Sequence, residues 1–254
     1  VPSMKTWVLR SIPAVLLAAY SNFATAGAFQ LWEQNASGLG TAYAGSAAIA
    51  DNASTVFFNP AGMSQLSGFQ FSAGVAAVGP SYTFRDEGST INGVPGTGTN
   101  GGDAGGWKAV PNMHMAWAVT PDVSLGLGIS SPFGLATEYD PEWIGRMHAV
   151  RSEIRTMNVN PSISYKLNEK VALGFGLNYQ TIKGELTSSL GPVGVSSRLV
   201  GDDASIGWNA GVLFSLSPAM RVGLSYRSAV KHTLVGETSD PVFGDRQVRA
   251  DLKL

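Results

Sequence analysis

Val171-Ala172-Leu173-Gly174-Phe175-Gly176-Leu177-Asn178-Tyr179-Gln180 alternates large apolar residues with small or polar ones at every step. A period of two is the signature of a β-strand with a greasy face and a different face opposite it. The same alternation recurs on both sides. Val159, Ile163, Tyr165 and Leu167 stand against Asn158, Asn160, Ser162, Ser164 and Lys166, and Met113, Met115, Trp117 and Val119 against Asn112, His114, Ala116 and Ala118. Val123, Leu125, Leu127 and Ile129 form another apolar face, followed by the sets Trp208 to Leu216 and Met220 to Tyr226. The reading predicts seven strands, at 69–84, 107–119, 123–138, 151–167, 171–187, 205–216 and 220–236.

The connections separate a membrane barrel from a water-soluble sandwich. Thr120-Pro121-Asp122, Asn168-Glu169-Lys170 and Ser217-Pro218-Ala219 are tight turns. Arg85 to Gly106, Tyr139 to Val150 and Gly184 to Ala204 are long, Gly-rich or charged links that alternate with them. Short turns on one side and long loops on the other are the pattern of an outer-membrane meander. The outward faces quoted carry no Arg or Lys, each of which costs about 2–4 kcal/mol facing lipid at mid-membrane. Tyr165, Tyr179, Tyr226, Trp117 and Trp208 lie toward strand ends on those faces and are expected to form an interfacial girdle. Val248, Ala250, Leu252 and Leu254 begin an eighth strand. Open sheet edges are costly in lipid, so the chain is read as an N-terminal fragment of a larger barrel.

The first residues read as an export signal. Lys5 and Arg10 precede the apolar run Ile12 to Tyr20, and Ala24-Thr25-Ala26 fits small-x-small cleavage, leaving Gly27 first; Val1-Pro2-Ser3 is a short upstream extension. The expected organisation is therefore a signal peptide at 1–26, a non-alternating segment at 27–67 and a partial barrel at 68–254. The 254 residues are 44% hydrophobic and 14% charged with net charge −1, which disfavours a nucleic-acid partner. There is no cysteine, so neither a disulfide framework nor a thiolate site exists. His114, His148 and His232 lack a metal-ligand spacing, no G-x-S-x-G elbow is present, and the glycine pairs at 126–128 and 174–176 sit inside strands. No cofactor, metal or catalytic residue is expected, and the chain is read as a non-enzyme.

Gly27-Ala28-Phe29-Gln30-Leu31, Ser37 to Gly45, Ala50-Asp51 and Asn59-Pro60-Ala61 resemble the N-terminal hatch of the FadL-type long-chain fatty acid transporters. Val110 to His114, Pro132 to Tyr139 and Met157 to Pro161 resemble barrel stretches of the same family, so the likeness runs from Gly27 to Leu254. It implies an all-β, transmembrane antiparallel barrel of roughly fourteen strands, of which this is about the first half, plugged by the hatch. It also implies a bacterial outer-membrane location, a monomer at full length, and two kinds of partner: a long-chain fatty acid or other hydrophobic small molecule, and outer-membrane lipid. On this resemblance Phe29 lies beside the ligand, and Asn59, Pro60 and Ala61 form the hatch motif. The break in alternation at Ser130-Ser131-Pro132-Phe133-Gly134 is expected either to kink the third strand into a lateral opening at Pro132, Phe133 and Gly134 or simply to end it. Lys183 is the candidate carboxylate partner by its place in the family pattern. Its parity, counted from Val171, points outward unless a bulge intervenes, and Arg155 and Arg227 are rivals. A general porin or surface receptor, and an outer-membrane lipid hydrolase, are the competing classes. Within the transporter class, fatty acids and aromatic hydrocarbons both fit.

Overall fold

A computed structural model describes residues 29–91, 93–189, 196–239 and 244–254. The expected signal peptide and Gly27 lie outside the described residues. Strands are β1 (Phe69–Val78), β2 (Thr90–Ile91), β3 (Val94–Pro95), β4 (Lys108–Ala118), β5 (Val123–Ser130), β6 (Gly134–Glu138), β7 (Arg151–Asn168), β8 (Val171–Ser189), β9 (Ser196–Ser217), β10 (Met220–Arg227), β11 (Lys231–Ser239) and β12 (Arg246–Lys253). All but β2 and β3, a small hairpin in the first long link, join one antiparallel meander, from β1 through β4, β5 with β6, β7, β8 and β9 to β10 with β11, and then β12. No helix among the described residues is long and apolar enough to cross a membrane.

Side-chain chemistry closes the tight turns. Thr120 Oγ1 accepts from the Val123 amide at 3.0 Å, and Asn168 Oδ1 accepts from Lys170 and Val171 at 2.9 and 3.0 Å. These short links fix register, so that Phe69, Trp117 and Leu125 align across three strands, as do Ile163, Phe175 and Ala210 across the next three. The aligned large apolar side chains all lie exposed on the convex face. Facing hydrocarbon, each contributes roughly 1.5–3 kcal/mol relative to water. The concave face is polar and covered, with Asn112, His114, Asn158, Asn160, Asn178, Gln180 and Asn209 all buried.

Four boundaries differ from the sequence reading. The first strand, expected to run to 84, ends at Val78, where Gly79-Pro80 follows. The third strand is two segments, β5 and β6, separated by Ser131-Pro132-Phe133. The seventh is likewise divided, into β10 and β11, at Ser228-Ala229-Val230. β9 begins at Ser196 rather than 205, because Ser196–Asp203 pairs residue for residue with Ile182–Ser189 beyond the apolar band. Trp208 therefore sits inside its strand, 5.2 Å in ring centroids from Tyr226 and 6.4 Å from Phe175, and belongs to an aromatic cluster within the band rather than to a terminal girdle.

Residues 29–67 lie against the concave face as turns, a 3-10 turn at Leu39–Thr41, one helical turn α1 (Thr55–Phe58) and a 3-10 helix at Pro60–Gln65. Ala53, Val56 and Met63 pack on Ala116, and Ala61 packs on Ala172 and Leu213. These two small clusters are the core.

Candidate functional site

Asn59 is the hub of the N-terminal segment. It is fully buried between α1 and the following 3-10 helix, whose first position Pro60 occupies, needing no amide donor there. Its Oδ1 accepts from the Ala61 amide at 3.0 Å, while Nδ2 donates to Ala47 O at 2.6 Å, Val212 O at 3.1 Å and Leu224 O at 3.4 Å. One amide thus ties two turns of the segment to the backbones of β9 and β10. The approach is so close that only glycine fits beneath it. A Cβ on Gly211 would stand 1.9 Å from Asn59 Oδ1, one on Gly174 2.1 Å from the Ala61 nitrogen, and one on Gly223 1.9 Å from Ala47 O. These wall glycines went unread in the sequence, where they register only as small inward residues.

The carbonyls at the end of α1 are met by β10. Ser225 Oγ donates to Phe58 O at 2.6 Å, and the Arg227 guanidinium donates to Phe57 O at 2.9 Å and lies 4.4 Å from the Phe57 ring centre. A cation at a helix C-terminus is favourable. Arg227 also donates to Asn178 Oδ1. From there an amide network spreads over the concave face, with Asn158 and Asn178 donors each 3.1 Å from their acceptors and Asn160 to Asn209 at 2.9 Å. Not all of it is satisfied. Asn158 Oδ1, Asn160 Oδ1, Asn209 Nδ2, Ser162 Oγ and both His114 ring nitrogens are buried without a protein partner.

The break in the third strand is a bulge. Ser130 faces Asn158 and Gly134 faces Arg155, so three residues, 131–133, oppose two on β7. Thr156 secures it, with Oγ1 donating to Phe133 O at 2.8 Å and accepting from the Phe133 amide at 3.0 Å. On the other side the wall opens, since the last β4–β5 pair is Asn112 with Ser130 and Lys108–Pro111 pair with β1 alone. Phe29-Gln30-Leu31 fills that position. Leu31 N donates to Pro132 O at 2.8 Å, Gly134 N donates to Phe29 O at 2.9 Å, and Gln30 forms a bridge with Phe133. Gln34, fully buried and missed by sequence reasoning, adds a side-chain bond from Nε2 to Ser131 O at 3.1 Å. Phe29 itself is 45% exposed, with φ +65, a conformation that costs an aromatic residue energy and is held by the neighbouring bonds.

The Lys183 expectation needs correction. The β8–β9 register runs from Val171 to Ser189 without a bulge, so Lys183 keeps its outward parity, exposed between Arg155 and Asp202. Arg155 shares that outer face, and of the three cations considered only Arg227 reaches the concave side. Tyr43, Ile49, Phe58 and Thr41 line a cavity of about 130 Å³ within the N-terminal segment, below the volume of about 300 Å³ at which small-molecule pockets begin.

The profile of the family described as outer membrane protein transport protein (OMPP1/FadL/TodX) matches residues 17–244. The long-chain fatty acid transport protein of Escherichia coli K12 is 32% identical over 273 residues, covering 93% of this chain and 59% of that protein. Outer membrane protein P1 of Haemophilus influenzae is 31% identical, covering 90% of this chain and 59% of that protein. The chain therefore spans under two thirds of the length of these relatives. Among solved structures, a Pseudomonas aeruginosa FadL homologue superposes with TM-score 0.78 at 22% identity, over 89% of this chain and 64% of that one. The Ralstonia pickettii toluene transporter TbuX does so with 0.58 at 18%, over 81% and 60%.

Proposed function

The chain belongs to the OMPP1/FadL/TodX family of outer membrane transport proteins, and on that premise we propose that it carries long-chain fatty acids, or molecules of like hydrophobicity, passively across the outer-membrane wall. In this reading residues 1–26 direct export, 27–67 are a movable hatch, and 68–254 are wall. Asn59, Pro60 and Ala61 anchor the hatch, Phe29 is its leading residue, and ligand leaves sideways at Pro132, Phe133 and Gly134. The full-length protein acts as a monomer.

One observation carries the reading. Residues Phe29 to Leu31 are bonded into the wall where the third strand is interrupted, so the segment that plugs the concave face also fills the break in that strand. Moving it opens both together. Two backbone bonds and the Gln34 bond hold it there, at about 1 kcal/mol net each. An acyl chain gains about 0.8 kcal/mol per buried CH₂, so a ligand that buries four or five methylenes only when the latch is displaced offsets those bonds. Shorter chains do not reach that balance.

A monoaromatic hydrocarbon is the second reading, favoured by the cation placement. Lys183 and Arg155 face outward and Arg227 is engaged by Asn178 and Phe57, so none of these three cations stands free on the concave face for a carboxylate. The deciding experiment measures uptake of labelled oleate and of toluene by cells that lack their own transporter and express the full-length gene. Saturable oleate uptake that is lost on deleting 27–67 is expected. Uptake of toluene alone selects the second reading, and uptake of neither overturns both.

A further inference from the structure

The seventh strand is divided where the wall ladder itself is interrupted. β10 pairs with β9 as far as Arg227 with Asn209, and β11 pairs with it again only from Val235 with Asp202, so residues 228–234 stand opposite 203–208 with one residue to spare. Gly134, Arg155, Lys183, Asp202 and Val235 form one row across the sheet, and that row bounds both this break and the bulge in the third strand. The wall therefore carries two breaks under the same row, with β7, β8 and β9 between them.

Within the second break side chains replace the ladder. Ser228 N donates to Trp208 O at 2.8 Å, and Ser228 Oγ accepts from Trp208 N at 2.9 Å. Val230 turns its backbone away from β9 and exchanges bonds with Leu254 at 2.7 and 2.9 Å. Thr233 N, which in register would meet Ala204, donates to Asp203 Oδ2 at 3.1 Å instead. His232 is buried, with Nδ1 2.9 Å from Asp203 Oδ2 and Nε2 3.1 Å from Gln180 Nε2, contacts that the neutral tautomer with its proton on Nδ1 satisfies together. Val230, also buried, closes the rest, and a Cβ on Gly207 would stand 2.8 Å from its Cγ2.

Both sides of this seam are firmly held. β9 is laddered to β8 from Ser196 to Phe214, and residues 231–234 pair with 250–253 of β12. Since Trp208 turns both backbone groups toward β10, strand alternation turns those of Ile206 to the same side, where no ladder partner stands across from them. A ladder over this stretch would supply about six backbone bonds, whereas parting the seam breaks only the bonds of Asp203 with Thr233 and His232 and of Gln180 with His232. Ile206 and Tyr179 are exposed on the lipid-facing side of the seam, while Val230, His232 and Gln180 are buried on the concave side, so a parted seam joins the interior to the bilayer. Arg227, the last paired residue below it, donates to Phe57 O, which bonds the N-terminal segment to the foot of this break as Phe29 to Leu31 bond it to the first.

Taking its cargo from the transport reading, on which it rests, we propose that the wall has a second lateral opening, between residues 203–207 of β9 and residues 229–234. Val230, His232 and Asp203 hold it shut, and a hydrophobic molecule passes through it between the interior and the bilayer once the N-terminal segment releases Arg227.

The test uses the full-length protein in a cysteine-free background, in nanodiscs whose lipid includes phosphatidylethanolamine with a maleimide on its headgroup. Val230→Cys is expected to react about tenfold faster when oleate is added or residues 27–67 are deleted than at rest. Ile182→Cys, equally buried and paired with Asp203 but laddered on both sides, is expected to stay unreactive throughout. Val230→Cys that stays as unreactive as Ile182→Cys under both conditions overturns the proposal. Equal acceleration at the two positions does the same, since it would report a general loosening of the barrel. Passage is read separately in cells, with Ala204→Cys and Thr233→Cys joined across the seam by oxidation in a Gly134→Leu background that obstructs the first break. The remaining oleate uptake is expected to fall about threefold or more on oxidation and to recover on reduction. Uptake indifferent to oxidation overturns passage through the seam, and a short bis-maleimide replaces the disulfide if gel mobility shows that it has not formed. Wild-type cells that take up neither oleate nor toluene would overturn the transport reading instead, while the labelling still decides whether the seam opens.

Discussion

Asn59 makes four hydrogen bonds from one buried amide, accepting from Ala61 while donating to Ala47, Val212 and Leu224. Asn59→Ala leaves that amide and those carbonyls without their partner, at a cost of about 1–3 kcal/mol. Hydrogen exchange across 55–65 is expected to accelerate about tenfold or more, with the barrel's gel mobility unchanged. Gly211→Ala should give the same signature from the other side of the contact, because its Cβ would stand 1.9 Å from Asn59 Oδ1. Gly40→Ala is the control. Its Cβ meets nothing within 4 Å, so exchange should stay within experimental error of wild type. If Gly211→Ala and Gly40→Ala behave alike, the glycine seat has no role in holding the segment.

The third strand shows how an element can carry two functions. β5 is wall, β6 is wall again one residue out of step, and the bulge between them is bonded both to Thr156 and to the N-terminal segment. Gly134→Leu would place its Cβ 3.0 Å from Leu31 Cδ1 and push the latch from its seat. Oleate uptake should change by severalfold, and unchanged uptake would remove the break from the mechanism. Loop order has its own pH dependence. Asp103 accepts from Ser81 Oγ, Tyr82 N and Gly105 N at 2.7, 2.8 and 2.9 Å, and these bonds hold its carboxyl below the usual carboxylate range. A depressed folded pKa means the ordering is present at neutral pH and lost as pH falls below about 4. Proteolysis between 79 and 106 should accelerate there, and Asp103→Asn should remove most of the difference. The strand tracks were legible in the sequence because each wall strand meets lipid on one face and a polar interior on the other. The break at Pro132 and Gly134 announced itself through residues that disrupt a ladder. The second break did not, because Ser228-Ala229-Val230 contains neither Pro nor Gly, and the Ser228 hydroxyl repairs the ladder by accepting from the Trp208 amide at 2.9 Å. Likewise the docking of Phe29 to Leu31 on Pro132 to Gly134 is a contact across about a hundred residues, which no local pattern encodes.

At the scale of the whole molecule the proposed transport requires that a segment so closely seated leave the wall. Its apolar contacts are two small clusters, and most of the wall beneath is amide, hydroxyl and imidazole with several atoms unpaired. A fully apolar seat would strongly oppose departure, because every Å² uncovered returns to water. A polar seat with unmet hydrogen bonds does the reverse, since departure lets Asn158, Asn160, Asn209, Ser162 and His114 bind water. On the proposed mechanism the resting state is thereby raised toward an open one. His114 isolates the effect, being fully buried with neither nitrogen partnered and separated from Val56 by Gly128 alone. His114→Phe replaces the unpaired imidazole with a ring of similar shape and should stabilise the closed arrangement by about 1–3 kcal/mol. Exchange across 55–65 should slow by roughly tenfold or more, and uptake should fall while the protein becomes harder to denature. A more stable protein that transports less is the outcome that distinguishes a seat tuned for release from one that is merely imperfectly packed; slower exchange with undiminished uptake would mean that this part of the segment stays in place during transport.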